Sequence, residues 1–155
     1  MLTAIARDAA GNVGATSASY TVIVDTTAPA APAITTVADD QGPQTGPLAN
    51  GGYTDDTQPT LSGTAEINAT ISIYDNGVLL GTTSANGSGN WTYTPAGGLS
   101  QGDHSLTARA TDAVGNQGPA SSPFVVRVDT AAPLAPAITS VIDDVGTVQG
   151  AVLSL

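Results

Sequence analysis

The chain has 155 residues with thirteen acidic groups, three arginines, no lysine and no cysteine, giving a formal net charge of −10. Arg7, Arg109 and Arg127 stand apart in the sequence, so no basic cluster is available to neutralise the phosphates of a nucleic acid or an anionic membrane. Without cysteine there is no disulfide framework, thiolate zinc site or Cys nucleophile, and a core, a partner or an oxygen-ligated ion must do the stabilising.

The sequence repeats itself before any element is assigned. Leu2-Thr3-Ala4 through Gly46 returns as Leu106-Thr107-Ala108 through Gly150 at a constant offset of 104 without a gap. Asp8 with Gly11-Asn12 returns as Asp112 with Gly115-Asn116, Val24-Asp25-Thr26 as Val128-Asp129-Thr130, and Ala31-Pro32-Ala33-Ile34-Thr35 as Ala135-Pro136-Ala137-Ile138-Thr139. The expected division is the tail of one copy at 1–25, a whole copy at 26–129 and the head of a third at 130–155, as in a window on a longer array.

In chain order, the whole copy predicts strands from period-two alternation and turn punctuation. Ala33–Val37 comes first, followed by a Gly-, Pro- and Asp-rich loop over 39–57. Thr60–Thr64 is the second strand, and Ala69–Tyr74 the third, with Ala69, Ile71 and Ile73 on one face. Asn76-Gly77 supplies the positive φ values of a type I′ hairpin leading to Val78–Thr82. Asn90–Thr94 turns Trp91 and Tyr93 inward. Ser105–Thr111 buries Leu106, Ala108 and Ala110 with Arg109 facing water, and Pro123–Val128 points Phe124, Val126 and Val128 inward. Twelve of the acids are Asp, with Gly, Pro, Thr and Ser abundant, which favours strands and turns over helices. Seven short strands in about 100 residues describe an all-β, immunoglobulin-like β-sandwich without a disulfide.

Five motifs occur in order: Val24-Asp25-Thr26-Thr27-Ala28-Pro29, Thr54–Glu66, Ile73–Gly77, Asn90–Pro95 and Ala110–Asn116. Together they resemble the calcium-binding tandem Ig-like repeats of giant bacterial surface adhesins of the biofilm-associated type, exported by type I secretion. That resemblance implies an extracellular, calcium-rigidified stalk at the bacterial cell surface. Its partners would be adjacent repeats of the same chain, with any host or surface receptor engaged through other regions.

Strand directions place the acids. With alternating strands, Asp39, Asp40, Asp55 and Asp56 gather at the exit pole near Asp129, while Asp112 meets Asp25 at the entry pole with Glu66. Carboxylates gathered without cations repel one another, and Ca²⁺ relieves this with roughly 6–8 oxygen ligands in flexible geometry. These eight residues are the candidate metal ligands. Plain turn roles compete: Asp112 as the cap of an Asx turn, Asp25 and Asp129 as linker residues. Asp75 and Asp103 are read as turn residues and His104 as an exposed turn residue.

Enzyme readings find no support. Asp25-Thr26-Thr27 lacks the Gly of an aspartic-protease motif, and Gly87-Ser88-Gly89 lacks the strand-to-helix setting of a nucleophile elbow. No run of about 18 apolar residues suggests a membrane span, and residues 1–8 lack the basic start and apolar stretch of a signal peptide. The rival to a stalk is a repeat that itself binds a glycan or protein receptor, for which Tyr53 and Tyr74 are the candidate exposed aromatics.

Overall fold

The computed structural model describes residues 1–143 and 150–151. Among these there is no helix, and two sheets pack face to face. The first sheet runs in the order β2 (Gly46–Pro47), β1 (Ala33–Asp39), β4 (Thr60–Thr64), β7 (Asn90–Tyr93). The second runs β3 (Gly52–Thr54), β10 (Phe124–Val128), β8 (Gly102–Thr111), β5 (Thr70–Asp75), β6 (Val78–Ser84), with β9 (Gln117–Ala120) also paired to β8.

Alternation produces the core. Ala69, Ile71 and Ile73 are buried from β5 and its approach, Leu106, Ala108 and Ala110 from β8, and Val126 and Val128 from β10. They meet Val37, Leu61 and Trp91 of the facing sheet. Gly63 is what lets Trp91 settle there, since a Cβ at that position would collide with the Ala33 carbonyl and the indole ring. The hairpin forms as its sequence requires: Asn76 and Gly77 have φ of 48° and 84°, and Asp75 pairs with Val78 across a two-residue turn.

The structure departs from expectation in the long loop. Residues 39–57 contain β2 and β3, and β3 lies parallel to β10, Gly52 opposite Val126 and Thr54 opposite Val128. The pairing is fixed by non-local bonds, with Gly51 N donating to Val125 O and Val125 N to Asn50 Oδ1 (2.8 and 2.7 Å). Three residues, of which the first is Gly52 directly after Gly51, carry too little alternation to announce such a strand. β9 was not anticipated either, and its Pro119 is tolerated because the strand is paired on one side.

The internal repeat is also a repeat of hydrogen bonds. Ser17 N donates to Ala4 O as Ser121 N does to Ala108 O, both at 2.8 Å, and Ala4 N reaches Ser17 Oγ as Ala108 N reaches Ser121 Oγ. The antiparallel bridges Leu2 to Tyr20 and Arg7 to Val13 correspond to Leu106 with Phe124 and Thr111 with Gln117. At the other end the correspondence fails. Residues 137–141 repeat much of the β1 sequence but are exposed and outside any strand, because the 155 residues hold no second copy of the β4 edge for them to pair with. A short pair, β11 (Ile142–Asp143) with β12 (Gly150–Ala151), follows; 144–149 and 152–155, within the expected third copy, lie outside the described residues.

Candidate functional site

β1 ends at the exit pole and delivers Asp39, which is 5% exposed and accepts hydrogen bonds from Thr54 Oγ1 (2.6 Å) and Gln41 N (2.9 Å). The Thr54 hydroxyl in turn accepts from Asp56 N (3.0 Å). Asp56, 1% exposed, accepts from Gln58 N (2.7 Å) and Asp40 N (3.4 Å). Thr54 and the two buried acids therefore form one network that shapes the loop. Asp40 and Asp55 are exposed, and the Asp55 carboxylate lies close over Gly42, whose φ of 67° is one that glycine adopts readily.

Two cavities open at this pole. One of about 410 Å³ is lined by Asp39, Asp55 and Asp129 with Leu48, Tyr53 and Thr54. The other, about 390 Å³, is lined by Asp40, Asp55 and Asp56. The structure thus brings together the five exit-pole acids singled out from sequence, with Asp55 on both cavities. Among the described residues, however, no three Asp, Glu or His side chains converge closely enough to hold a metal ion by themselves.

At the entry pole Asp112 caps the turn after β8. Its Oδ1 accepts from Val114 N (2.9 Å) and Asn116 N (2.8 Å), and its Oδ2 from Asn116 Nδ2 (2.8 Å). Desolvation opposes its ionisation, but these bonds outweigh it and hold its pKa below the ordinary Asp value. Asp8 repeats the arrangement on Ala10 and Asn12, with its pKa likewise lowered, chiefly by the Asn12 side chain. Asn116 Nδ2 also reaches the carbonyls of Asp25 (3.2 Å) and Thr27 (3.4 Å), which joins Asp112 to Asp25 through one side chain. Glu66 is exposed on the turn before β5, its carbonyl accepting from Ala69 N.

Asp25 and Asp129 each cap their own linker, Asp25 Oδ1 accepting from Thr27 N (2.9 Å) and Asp129 Oδ1 from Ala131 N (3.1 Å). Gln101, which the sequence did not single out, donates to Asp129 at 2.8 Å, and this bond is the main reason the Asp129 pKa is lowered.

His104 corrects its sequence reading. It is 4% exposed, with Nδ1 2.7 Å from Asp75 Oδ2 and Nε2 2.8 Å from Ser100 O. Its parity could have announced this, since it alternates with Leu106, Ala108 and Ala110 and so faces inward. Asp75 is therefore more than a turn acid. Asp103 is exposed and lies 3.6 Å from Arg127, whose guanidinium sits 5.6 Å from the centre of the Tyr53 ring.

A helix-free sandwich of two sheets, closed without cysteine and with polar loops gathered at its poles, is an Ig-type module. The sequence profile of the bacterial Ig-like domain family matches residues 30–130, and the chain belongs to that family. No curated protein matches the chain.

Proposed function

We propose that the chain is a stalk repeat of a bacterial adhesin: an extracellular, non-catalytic module that is joined end to end with further copies and supports cell adhesion or biofilm formation. The observation that carries this reading is the recurrence of side-chain and backbone hydrogen bonds at the sequence offset, Ser17 with Ala4 as Ser121 with Ala108. It is what stacked equivalent units require. Export by type I secretion and a place at the cell surface belong to the same proposal.

Calcium is the proposed cofactor. The donors at the poles are hard oxygens of Asp carboxylates, Thr hydroxyls and loop carbonyls, the type Ca²⁺ takes in flexible geometry. Because no three acidic side chains converge among the described residues, ligation in this reading is completed across a junction, the Asp39, Asp40, Asp55, Asp56 and Asp129 group of one repeat facing the Asp112, Glu66 and linker region of the next. Small-angle scattering of several tandem repeats tests it. The maximum dimension is expected to be longest in calcium and to shrink in chelator, and an unchanged value would sink the calcium part.

A second reading has one observation in its favour. Tyr53 is 66% exposed beside the carboxylates of the larger exit-pole cavity, an aromatic and polar pairing suited to a sugar ring. Binding of isolated repeats on a glycan array, lost in Tyr53→Ala, would favour that module over the stalk.

A further inference from the structure

Beyond the backbone bond from Asp129 N to Thr54 O (2.8 Å), the segment that leaves the repeat is held by one side chain of another loop. Gln101, in the loop between β7 and β8, donates through Nε2 to Asp129 Oδ1 (2.8 Å) and accepts at Oε1 from the Thr130 amide and hydroxyl (both 2.9 Å). A carboxamide serves a carboxylate at one end and N–H and O–H donors at the other within a single plane. The loop carrying it is itself fixed. Leu99 is buried and its amide donates to Thr57 O (2.6 Å), and the Ser100 carbonyl is held by His104 Nε2.

The segment that enters the repeat is held at the opposite pole by a different carboxamide. Asn116 Nδ2 donates to the carbonyls of Asp25 and Thr27 while bonded to Asp112 Oδ2. Asp25-Thr26 and Asp129-Thr130 are the same position of the repeat. Both linkers also share a local shape, each Asp capping the amide two residues on. The two grips use different atoms of that position. Gln101 takes the Asp carboxylate and the Thr amide and hydroxyl, whereas Asn116 takes the backbone carbonyls of the Asp and of the residue two further on. One linker can therefore be held from both sides at once with no atom contested.

We propose that consecutive repeats are joined by a metal-free double clamp, in which a single Asp-Thr linker is gripped by the Gln101 position of the repeat before it and the Asn116 position of the repeat after it. The partner surface is a second copy of this repeat, and the clamp orients it before any cation binds. This rests on the tandem-repeat reading and is independent of calcium ligation. The linker carboxylate then serves as a hydrogen-bond acceptor in the apo state rather than as an idle ligand.

Amide hydrogen exchange of the full 155-residue chain tests the clamp, read at Thr130 in calcium and in chelator. The Thr130 amide should be protected equally in both conditions. Gln101→Ala should speed its exchange about tenfold, the equivalent of one hydrogen bond at about 1.4 kcal/mol. Gln101→Glu should do the same, because its second carboxylate oxygen faces the Asp129 carboxylate and repels it. Amides of Ile71 and Leu106 in the core should keep their wild-type rates in both variants, which excludes general unfolding as the cause. Thr130 protection that appears only in calcium would overturn the clamp while leaving the calcium reading standing. So would wild-type Thr130 exchange in Gln101→Ala. Failure of tandem repeats to stiffen with calcium leaves these rates untouched and bears on the calcium reading alone.

Discussion

His104 Nδ1 lies 2.7 Å from Asp75 Oδ2 while Nε2 of the same ring lies 2.8 Å from the Ser100 carbonyl, so both ring nitrogens face acceptors. A carbonyl oxygen can only accept, and an ionised carboxylate likewise, so the arrangement is best met by an imidazolium with both nitrogens protonated. Burial opposes that charge. The hydrogen bond to Asp75, the bond to Ser100 and the attraction of Asp75 and Asp103 outweigh it and raise the His104 pKa above 6.5. A raised pKa means the folded state holds the proton more tightly than the unfolded chain does. The pair therefore stabilises fully below pH 6.5, and that contribution is lost as pH rises through the folded value. Melting temperature should fall across that window in the wild type, and His104→Gln should flatten the step while lowering stability on its acidic side. A melting temperature that instead rises with pH across that window would show that the ring is neutral when folded, and a pH-independent curve would show that folding leaves its pKa unshifted.

Gly63→Ala should be among the most damaging small substitutions. The added methyl meets the Ala33 carbonyl oxygen and the Trp91 ring, one of them backbone and the other fixed in the core. Overpacking of this kind costs about 1–3 kcal/mol, and urea denaturation would read it as a lower midpoint at unchanged slope. Gly87→Ala, where nothing lies within 4 Å of the new Cβ, is the control.

How much of this was legible follows from where each residue's partners lie. The core faces of β5, β8 and β10 follow from local alternation, and the Asn76-Gly77 turn from two residues of backbone preference, so both were readable. The exit-pole gathering of Asp39, Asp55 and Asp129 was readable too, since it needs only strand directions. β3 was not, because its pairing to β10 depends on Asn50 and Val125, distant in sequence. The Gln101 contact to Asp129 and Thr130 spans 28 and 29 positions and leaves no local pattern. For His104 two local signals conflict, since a polar side chain beside a turn favours solvent while its parity with Leu106, Ala108 and Ala110 favours the core, and the Asp75 acceptor that decides between them lies 29 positions away.

The calcium proposal makes a charge prediction with two arms. Asp55 is the suitable probe, being exposed and lining both exit-pole cavities, whereas Asp56 is buried and holds Gln58 N and Asp40 N, so its replacement would mix ligand loss with loop damage. Calcium bound to the native state alone stabilises by about 2.7 kcal/mol at a hundredfold excess over the dissociation constant. Asp55→Asn should lower the melting temperature in calcium and leave it level or higher in chelator, where removing one carboxylate relieves repulsion. The reference substitution is Asp103→Asn, an exposed acid outside both cavities; Asp75→Asn cannot serve, since Asp75 holds His104. Equal calcium-induced shifts in wild type and Asp55→Asn would remove Asp55 from the site.

The repeat offers an internal comparison of one hydrogen bond in two settings. Ser17 N donates to Ala4 O and Ser121 N to Ala108 O, each at 2.8 Å, and each serine hydroxyl oxygen accepts a bond from the amide of the same alanine. What differs is cover: Ser121 and Ala108 are buried beneath the facing sheet, whereas Ser17 and Ala4 are exposed. A two-stranded pairing without a facing sheet is marginal in water. Ser17 should therefore exchange its amide near the unprotected rate, together with Leu2–Ile5. Exposed residues 138–141, outside any strand, should do likewise. Ser121 should open only with the domain as a whole, which at roughly 5–15 kcal/mol of global stability slows exchange by more than about a thousandfold. Comparable rates at Ser17 and Ser121 would mean that residues 1–25 find cover in solution, and dilution would then distinguish a second molecule, whose protection falls with concentration, from a contact within the chain.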